Sequence, residues 1–219
     1  VPTEELPHNP RDFKTPNYGM RTFADLFTPR QLVALTTFSD LVGEARDRVL
    51  RDATAASDRD PSAYADAVAT YLACAVDRSG DYWSTITSWH NGREIIRNTF
   101  ARQAIPMTWD FTEAGPFSSS TGALSGALAW VSGVVETLAR GPAARVSQFD
   151  AADAFDSVRA PMVSTDPPYY DNVGYADLSD YFYVWLRRSL ADVHPDLFGT
   201  MLTPKTAELV ATPYRFGGS

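Results

Sequence analysis

A chain of 219 residues can bury a hydrophobic core, as one large domain or two small ones. Its 44% hydrophobic and 21% charged residues are ordinary for a globular protein and exclude wholesale disorder. The net charge of −8, shared evenly by the two sides of Gly141, argues against a chain that grips DNA unaided, because phosphate neutralisation supplies most nonspecific affinity. No apolar run approaches the roughly 18–20 residues of a bilayer span, and the start lacks the pattern of a secretion signal, so a soluble cytoplasmic protein is expected. The lone Cys74, within an apolar stretch, reads as a small buried hydrophobe. His8, His90 and His194 show no metal-ligand spacing, so no metal site is expected.

The proline-punctuated first ~20 residues read as an extended lead-in. Thr28-Pro29-Arg30-Gln31 is a capping box with proline at the first helical position, and opens a helix to about Arg51. Its apolar face is Leu32, Leu35, Phe38, Leu41, Val42, Ala45 and Val49. Asp60-Pro61 opens a second helix ending near Ser79-Gly80, with Tyr64, Val68, Tyr71, Leu72, Ala75 and Val76 inward. A shorter helix is expected over residues 93–101, extended or irregular chain over 105–111, and a serine-rich loop over 116–121. A third long helix should cover residues 122–140, with Leu124, Leu128, Val131, Val135 and Leu138 inward.

After Gly141 the pattern changes. Residues 144–149 and 161–165 are strand candidates ending at Asp150 and Asp166, with room for one or two helical turns between them. That order suggests part of a parallel sheet, whose ligands bind beyond the carboxyl ends of strands. The fold expected is therefore α/β: a mainly helical region, 1–140, and a catalytic α/β portion, 141–219. A final amphipathic helix over residues 177–190 is rich in Tyr, Phe and Trp. Tyr181, Phe182, Tyr183 and Trp185 read as core, as do Trp83, Trp89 and Trp109.

The sharpest feature is Asp166-Pro167-Pro168-Tyr169, a string expected by chance in roughly one in a thousand chains of this length. An exocyclic amine on a nucleobase is a poor nucleophile, because its lone pair is delocalised into the ring. A carboxylate from Asp166 and the Pro167 carbonyl, accepting its two N–H bonds, would favour a pyramidal nitrogen aimed at a methyl donor. Two prolines stiffen the turn and offer no N–H, so only acceptors face the amine. Tyr169 can stack on a base swung out of the duplex. Asp171 and Asn172 stand close enough in sequence to contact the same base, or simply cap a loop. Arg93 and Arg97, spaced i, i+4 on the expected short helix, either follow phosphates or lie on a solvated helix face.

These residues carry a family resemblance. Residues 144–169 resemble the paired strands of amino-methyltransferases, in which an acid ending the earlier strand contacts the cofactor adenine; Asp150 stands at the matching position, alongside Asp166. Most of the chain resembles the large bacterial adenine-specific DNA methylases that carry an N-terminal domain of unknown function. The matching stretches are FADLFTPRQLVALTTFSD (23–40), NTFARQAIPMTWDFTEAGPF (98–117) and TDPPYYDNVGYADLSDYFYVWLRR (165–188). The resemblance implies S-adenosylmethionine as cofactor, adenine N6 of DNA as acceptor and, for some members, an association with phage defence. The glycine-rich loop of such enzymes has no counterpart here, so this chain is expected to be an internal fragment whose parent polypeptide supplies it. The same motif type also serves methylation of RNA bases, cytosine N4 and glutamine, and a non-catalytic interaction module stays open.

Overall fold

A computed structural model of the chain describes residues 1–138, 141, 144–150, 152, 162–166, 170, 173–206, 208–215 and 217. Four helices dominate: α1 (Pro29–Ala55), α2 (Pro61–Gly80), α3 (Leu124–Thr137) and α4 (Tyr175–Leu190). The sheet content is one antiparallel pair, β1 (Ser88–His90) and β2 (Ile95–Arg97).

The helix starts follow from local chemistry. Thr28 Oγ1 accepts from the Gln31 amide at 3.3 Å while Gln31 Oε1 accepts from the Thr28 amide at 2.8 Å, a closed capping box ahead of Pro29. Asp60 Oδ1 caps α2 by accepting from the Ala63 amide at 3.1 Å. α1 buries Leu35 and Val42 along its inner face, but Leu41 faces out. In α2 the inward stripe is not the large residues: Tyr64 and Tyr71 are exposed, and Ala65, Ala69, Ala73 and Val76 are buried. Small side chains at i, i+4 spacing let α1 and α2 pack along their length. The same rotation turns Cys74 outward, so it is exposed rather than buried.

Helix α4 lies against both α1 and α2 and completes a single core with them. Tyr181 and Trp185 are almost wholly enclosed. Tyr181 stacks on Phe27 with ring centroids 5.6 Å apart and meets Phe100 edge-on at 5.1 Å. Its hydroxyl donates to the Gly80 carbonyl at 2.7 Å. Trp83, also buried, donates its indole N–H to the Gly122 carbonyl at 2.7 Å. The lead-in is tied down by isolated bridges, Glu5 with Thr22 and Phe13 with Ile105.

Several expectations are corrected. The α/β fold with a parallel Rossmann-like sheet is overturned: the described residues are helix-rich, with only the two-stranded antiparallel pair. Residues 144–150 and 162–166 carry no strand ladder. A strand exists only where a neighbour takes its N–H and C=O groups, and parallel strands need a crossover of a dozen or more residues. No third strand flanks these two among the described residues. Their apolar side chains meet solvent instead, Met162 and Val146 being exposed. The helix expected over 93–101 is instead the turn and second strand of a hairpin. Asn91-Gly92 supplies the turn, Glu94 takes a positive φ of 51°, and Trp89 pairs with Ile96. Trp89 and Trp109 are exposed, not core, and α3 leaves Leu128, Val135 and Leu138 exposed.

Two substitutions test this packing. Tyr181→Phe removes the 2.7 Å donor to the buried Gly80 carbonyl, which keeps only the Trp83 amide at 3.3 Å, and should cost about 1 kcal/mol in urea unfolding. Thr28→Ala should cost about 1 kcal/mol in the same measurement.

Candidate functional site

The expected site residues divide into three groups. Asp166 is exposed at the end of residues 162–166, with its carboxylate open to solvent. Pro167, Pro168, Tyr169, Asp171 and Asn172 lie outside the described residues. Asp150 is half-buried, and its Oδ1 accepts from the Ala152 amide at 2.9 Å, a local turn-capping bond. Arg93 and Arg97 sit on the β1–β2 hairpin, far in type from the helix face expected. Both are exposed, and among the described residues neither side chain pairs with a carboxylate.

Downstream of the motif the chain is held firmly. Tyr170 adopts a left-handed φ of 59° with its side chain 77% exposed, an uncommon conformation for a bulky residue. Its carbonyl accepts from the Ala211 amide at 3.4 Å. Val173 is buried, and Gly174 begins α4. Three residues on comes Asp177, only 1% exposed, where a first-turn acid would ordinarily face the free helix amides. Its carboxylate instead takes Arg215 Nη2 at 2.7 Å, Asn9 Nδ2 at 3.0 Å and the Tyr214 hydroxyl at 3.2 Å. One turn further, the fully buried Asp180 accepts from the Thr203 amide at 2.8 Å and hydroxyl at 2.6 Å, and from Lys205 Nζ at 2.5 Å.

The local electrostatics are consistent with fixed protonation states. Burial, then the Asp177 charge and hydrogen bond, push the Tyr214 phenol up to about 12, so it donates at neutral pH. For Arg215 burial works downward, but the Glu208 and Asp177 carboxylates outweigh it and raise the guanidinium above its usual value. These groups border an open cavity of about 400 Å³ at the head of α4, lined by Pro7, His8, Asp177, Lys205, Tyr214 and Arg215. Both cations there are already committed to carboxylates. Sequence reading assigned none of these roles, because the partners of Asp177 lie 168, 37 and 38 positions away.

A second acidic pair closes the other end of the core. Asp77 and Asp81 stand one turn apart at the C-terminus of α2, where like charges repel and the helix dipole disfavours anions. Burial, then the nearby Asp81, holds the Asp77 carboxyl well above the usual carboxylate range. Its Oδ1 is sealed from solvent without a hydrogen-bond partner. Asp81 is also raised by burial, although Asn98 and the Phe100 amide bond its two oxygens and partly offset this.

Among the described residues no group of three or more His, Cys, Asp or Glu is placed to hold a metal ion, and no helix is long and apolar enough to cross a membrane. No family model, curated protein or solved structure matches the chain.

The raised Asp77 carboxyl sets a pH dependence. The folded state keeps a proton that the unfolded state has already lost, so stability falls as pH rises above the ordinary aspartate value near 3.8. Asp77→Asn should flatten that decline between pH 5 and pH 8 in urea titrations; an unchanged slope would contradict it.

Proposed function

We propose that this chain is the catalytic-motif part of an S-adenosylmethionine-dependent methyltransferase acting on adenine N6 of DNA. The observation that carries the reading is Asp166-Pro167-Pro168-Tyr169, with Asp166 in solvent and a rigidly anchored helix directly after it. An exposed carboxylate remains available to an incoming amine; one consumed by internal ion pairs would not. Asp166 and the Pro167 carbonyl accept the two amine protons, which directs the nitrogen lone pair outward. In this reading Pro168 stiffens the turn and Tyr169 stacks on the extruded base, while Asp171 and Asn172 contact the same base or cap the following loop. Positioning and electrostatics of this kind supply most of the acceleration in a transfer with fixed geometry.

The described residues do not by themselves make a methyl-donor pocket. Asp150 and Asp166 offer acceptors, and the sequence carries no glycine-rich loop that would let backbone approach a cofactor. The chain's own contribution is therefore on the acceptor side, and a further part of a longer polypeptide is proposed to bring the cofactor loop. Helix α3 supports that reading. Trp130, Val134 and Leu138 are 63%, 49% and 56% exposed, and Phe149 and Met162 beyond it are exposed too. Apolar surface of this extent ordinarily marks a buried contact in the complete molecule. Arg93 and Arg97, without a carboxylate partner among the described residues, are proposed to follow the DNA backbone in an otherwise acidic chain.

The test uses the longest natural reading frame that contains this chain, labelled S-adenosylmethionine and unmethylated DNA. Label should appear as N6-methyladenine, and Asp166→Ala should lower the rate by about 10²–10³-fold. Label in RNA, cytosine or protein would reassign the acceptor. Transfer that survives Asp166→Ala, or none by either protein, would sink the reading and favour an interaction module.

A further inference from the structure

The β1–β2 hairpin rises from a firmly held root. The Thr99 amide donates to the Asp81 carbonyl at 2.7 Å, and the Asn98 side-chain amide donates to Asp81 Oδ2 at 2.7 Å. Inside the core the Ser84 and Thr99 hydroxyls meet at 2.7 Å. Trp89 pairs with Ile96, and because Ile96 is buried that face of the ribbon is turned inward. Trp89 is nonetheless 49% exposed, so much of its ring stands in solvent. Arg97, paired with Ser88, falls on the opposite, outer face, and Arg93 sits in the connecting loop.

A second exposed ring stands near the root. The Thr108 hydroxyl donates to the Ile86 carbonyl at 3.1 Å, which sets Trp109 beside the chain that enters β1. Trp109 is 77% exposed, and the exposed Tyr18 meets it edge-on with ring centroids 5.3 Å apart. Aromatic rings thus lie on the β1 side, and cations lie in the loop and on β2. From Tyr82 to Trp109 the sequence carries Arg93, Arg97 and Arg102 against one acid, Glu94, in a chain whose net charge is −8. All three arginines are exposed, and none joins an ion pair among the described residues. The nearest acids offer them little: Asp81 is taken by Asn98 and Phe100, and Glu113 by Arg30.

Unpaired cations call for an anionic partner, and flat exposed rings call for flat apolar faces in that same partner. A nucleic-acid strand with unstacked bases supplies both. In a duplex the base faces already cover one another, so the rings would find none. We propose that the β1–β2 hairpin, with Trp109 at its root, is a contact surface for single-stranded DNA. Bases stack on Trp89 and Trp109 while phosphates meet Arg93 and Arg97. Such an unpaired stretch is what extrusion of a target base creates. The choice of DNA rests on the methyltransferase reading, and the surface rests on its own geometry. A root fixed by buried hydrogen bonds leaves little to be ordered on binding.

The test measures binding to the full natural polypeptide, across a salt series and without S-adenosylmethionine. The probes are a labelled single-stranded DNA oligonucleotide, its duplex, and RNA of the same sequence. Trp89→Ala and Trp109→Ala should each weaken single-strand binding by about 5- to 100-fold, with the salt slope unchanged. Arg93→Gln and Arg97→Gln should each reduce the slope of log K against log salt by about 0.7, the value for one phosphate contact on a single strand. Trp89→Phe keeps a ring and should recover most of the Trp89→Ala loss, which separates stacking from damage to the fold. Arg48→Gln, on the exposed side of α1, is the charge control and should change neither quantity. No single-strand binding, a salt slope untouched by both arginine substitutions, or an affinity untouched by both tryptophan substitutions would overturn the proposal. Equal loss of duplex binding in Trp89→Ala would overturn the single-strand assignment, and tighter binding of RNA the choice of DNA. Methyl transfer is read separately: its absence, with these binding effects intact, removes the catalytic reading and leaves the surface standing.

Discussion

The hydrogen bond from Tyr181 to the Gly80 carbonyl ties together the elements on which the rest of the molecule depends. The last carbonyls of any helix lack intrahelical donors, and one buried without a partner costs about 1–3 kcal/mol. α2 ends inside the protein, so its terminal carbonyls must be met by something other than water. Tyr181 meets one of them from a position 101 residues later, and its ring fills the space between Phe27 and Phe100. Satisfying one polar group thereby sets where α4 crosses α1 and α2. It also sets where α4 begins, six residues after the motif ends in the sequence.

What the sequence makes legible is what short-range chemistry decides. The capping box at Thr28 and the Asp60-Pro61 start need only four consecutive residues to be right, and both are observed. α4 is legible because its aromatics repeat at helical spacing, although it starts at Tyr175 and not at Asp177. The errors arise where tertiary context overrides pattern. Ala65, Ala69 and Ala73 outcompete Tyr64 and Tyr71 for the interior of α2, because close approach of two helices rewards small side chains. Periodicity alone does not rank them. The β1–β2 hairpin was signalled by Asn91-Gly92 between short apolar runs, a turn signal stronger than the two arginines at helical spacing. The strand candidates at 144–149 and 161–165 have strand-like composition, but composition does not supply the neighbour that a ladder requires.

The candidate site was legible in its chemistry, and the buried network at the head of α4 was not. Asp166 is recognisable because the residues around it are contiguous. The network is not, because Asn9, Asp177, Tyr214 and Arg215 become neighbours only after folding. A first-turn aspartate reads as a routine helix-start residue, and an arginine near a glycine-rich end reads as surface charge. Nothing local distinguishes Asp177, whose carboxylate is enclosed, from Asp166, whose carboxylate is open.

Comparison of the two acidic pairs explains why only one of them can serve as a fixed support. Asp177 and Asp180 stand in the first turns of α4, where the helix dipole favours anions, and cations or donors from three other segments complete their shells. Asp77 and Asp81 stand at the opposite pole of α2, where the dipole opposes them, and Asp77 Oδ1 has no donor among the described residues. The residue type and the spacing are similar, and position along the helix reverses the sign of the electrostatic contribution. A carboxylate that is partnered on every side is held in one place. One that is enclosed and under-partnered retains its proton instead, which removes its charge from any network. The head of α4 has the first kind, and the end of α2 the second.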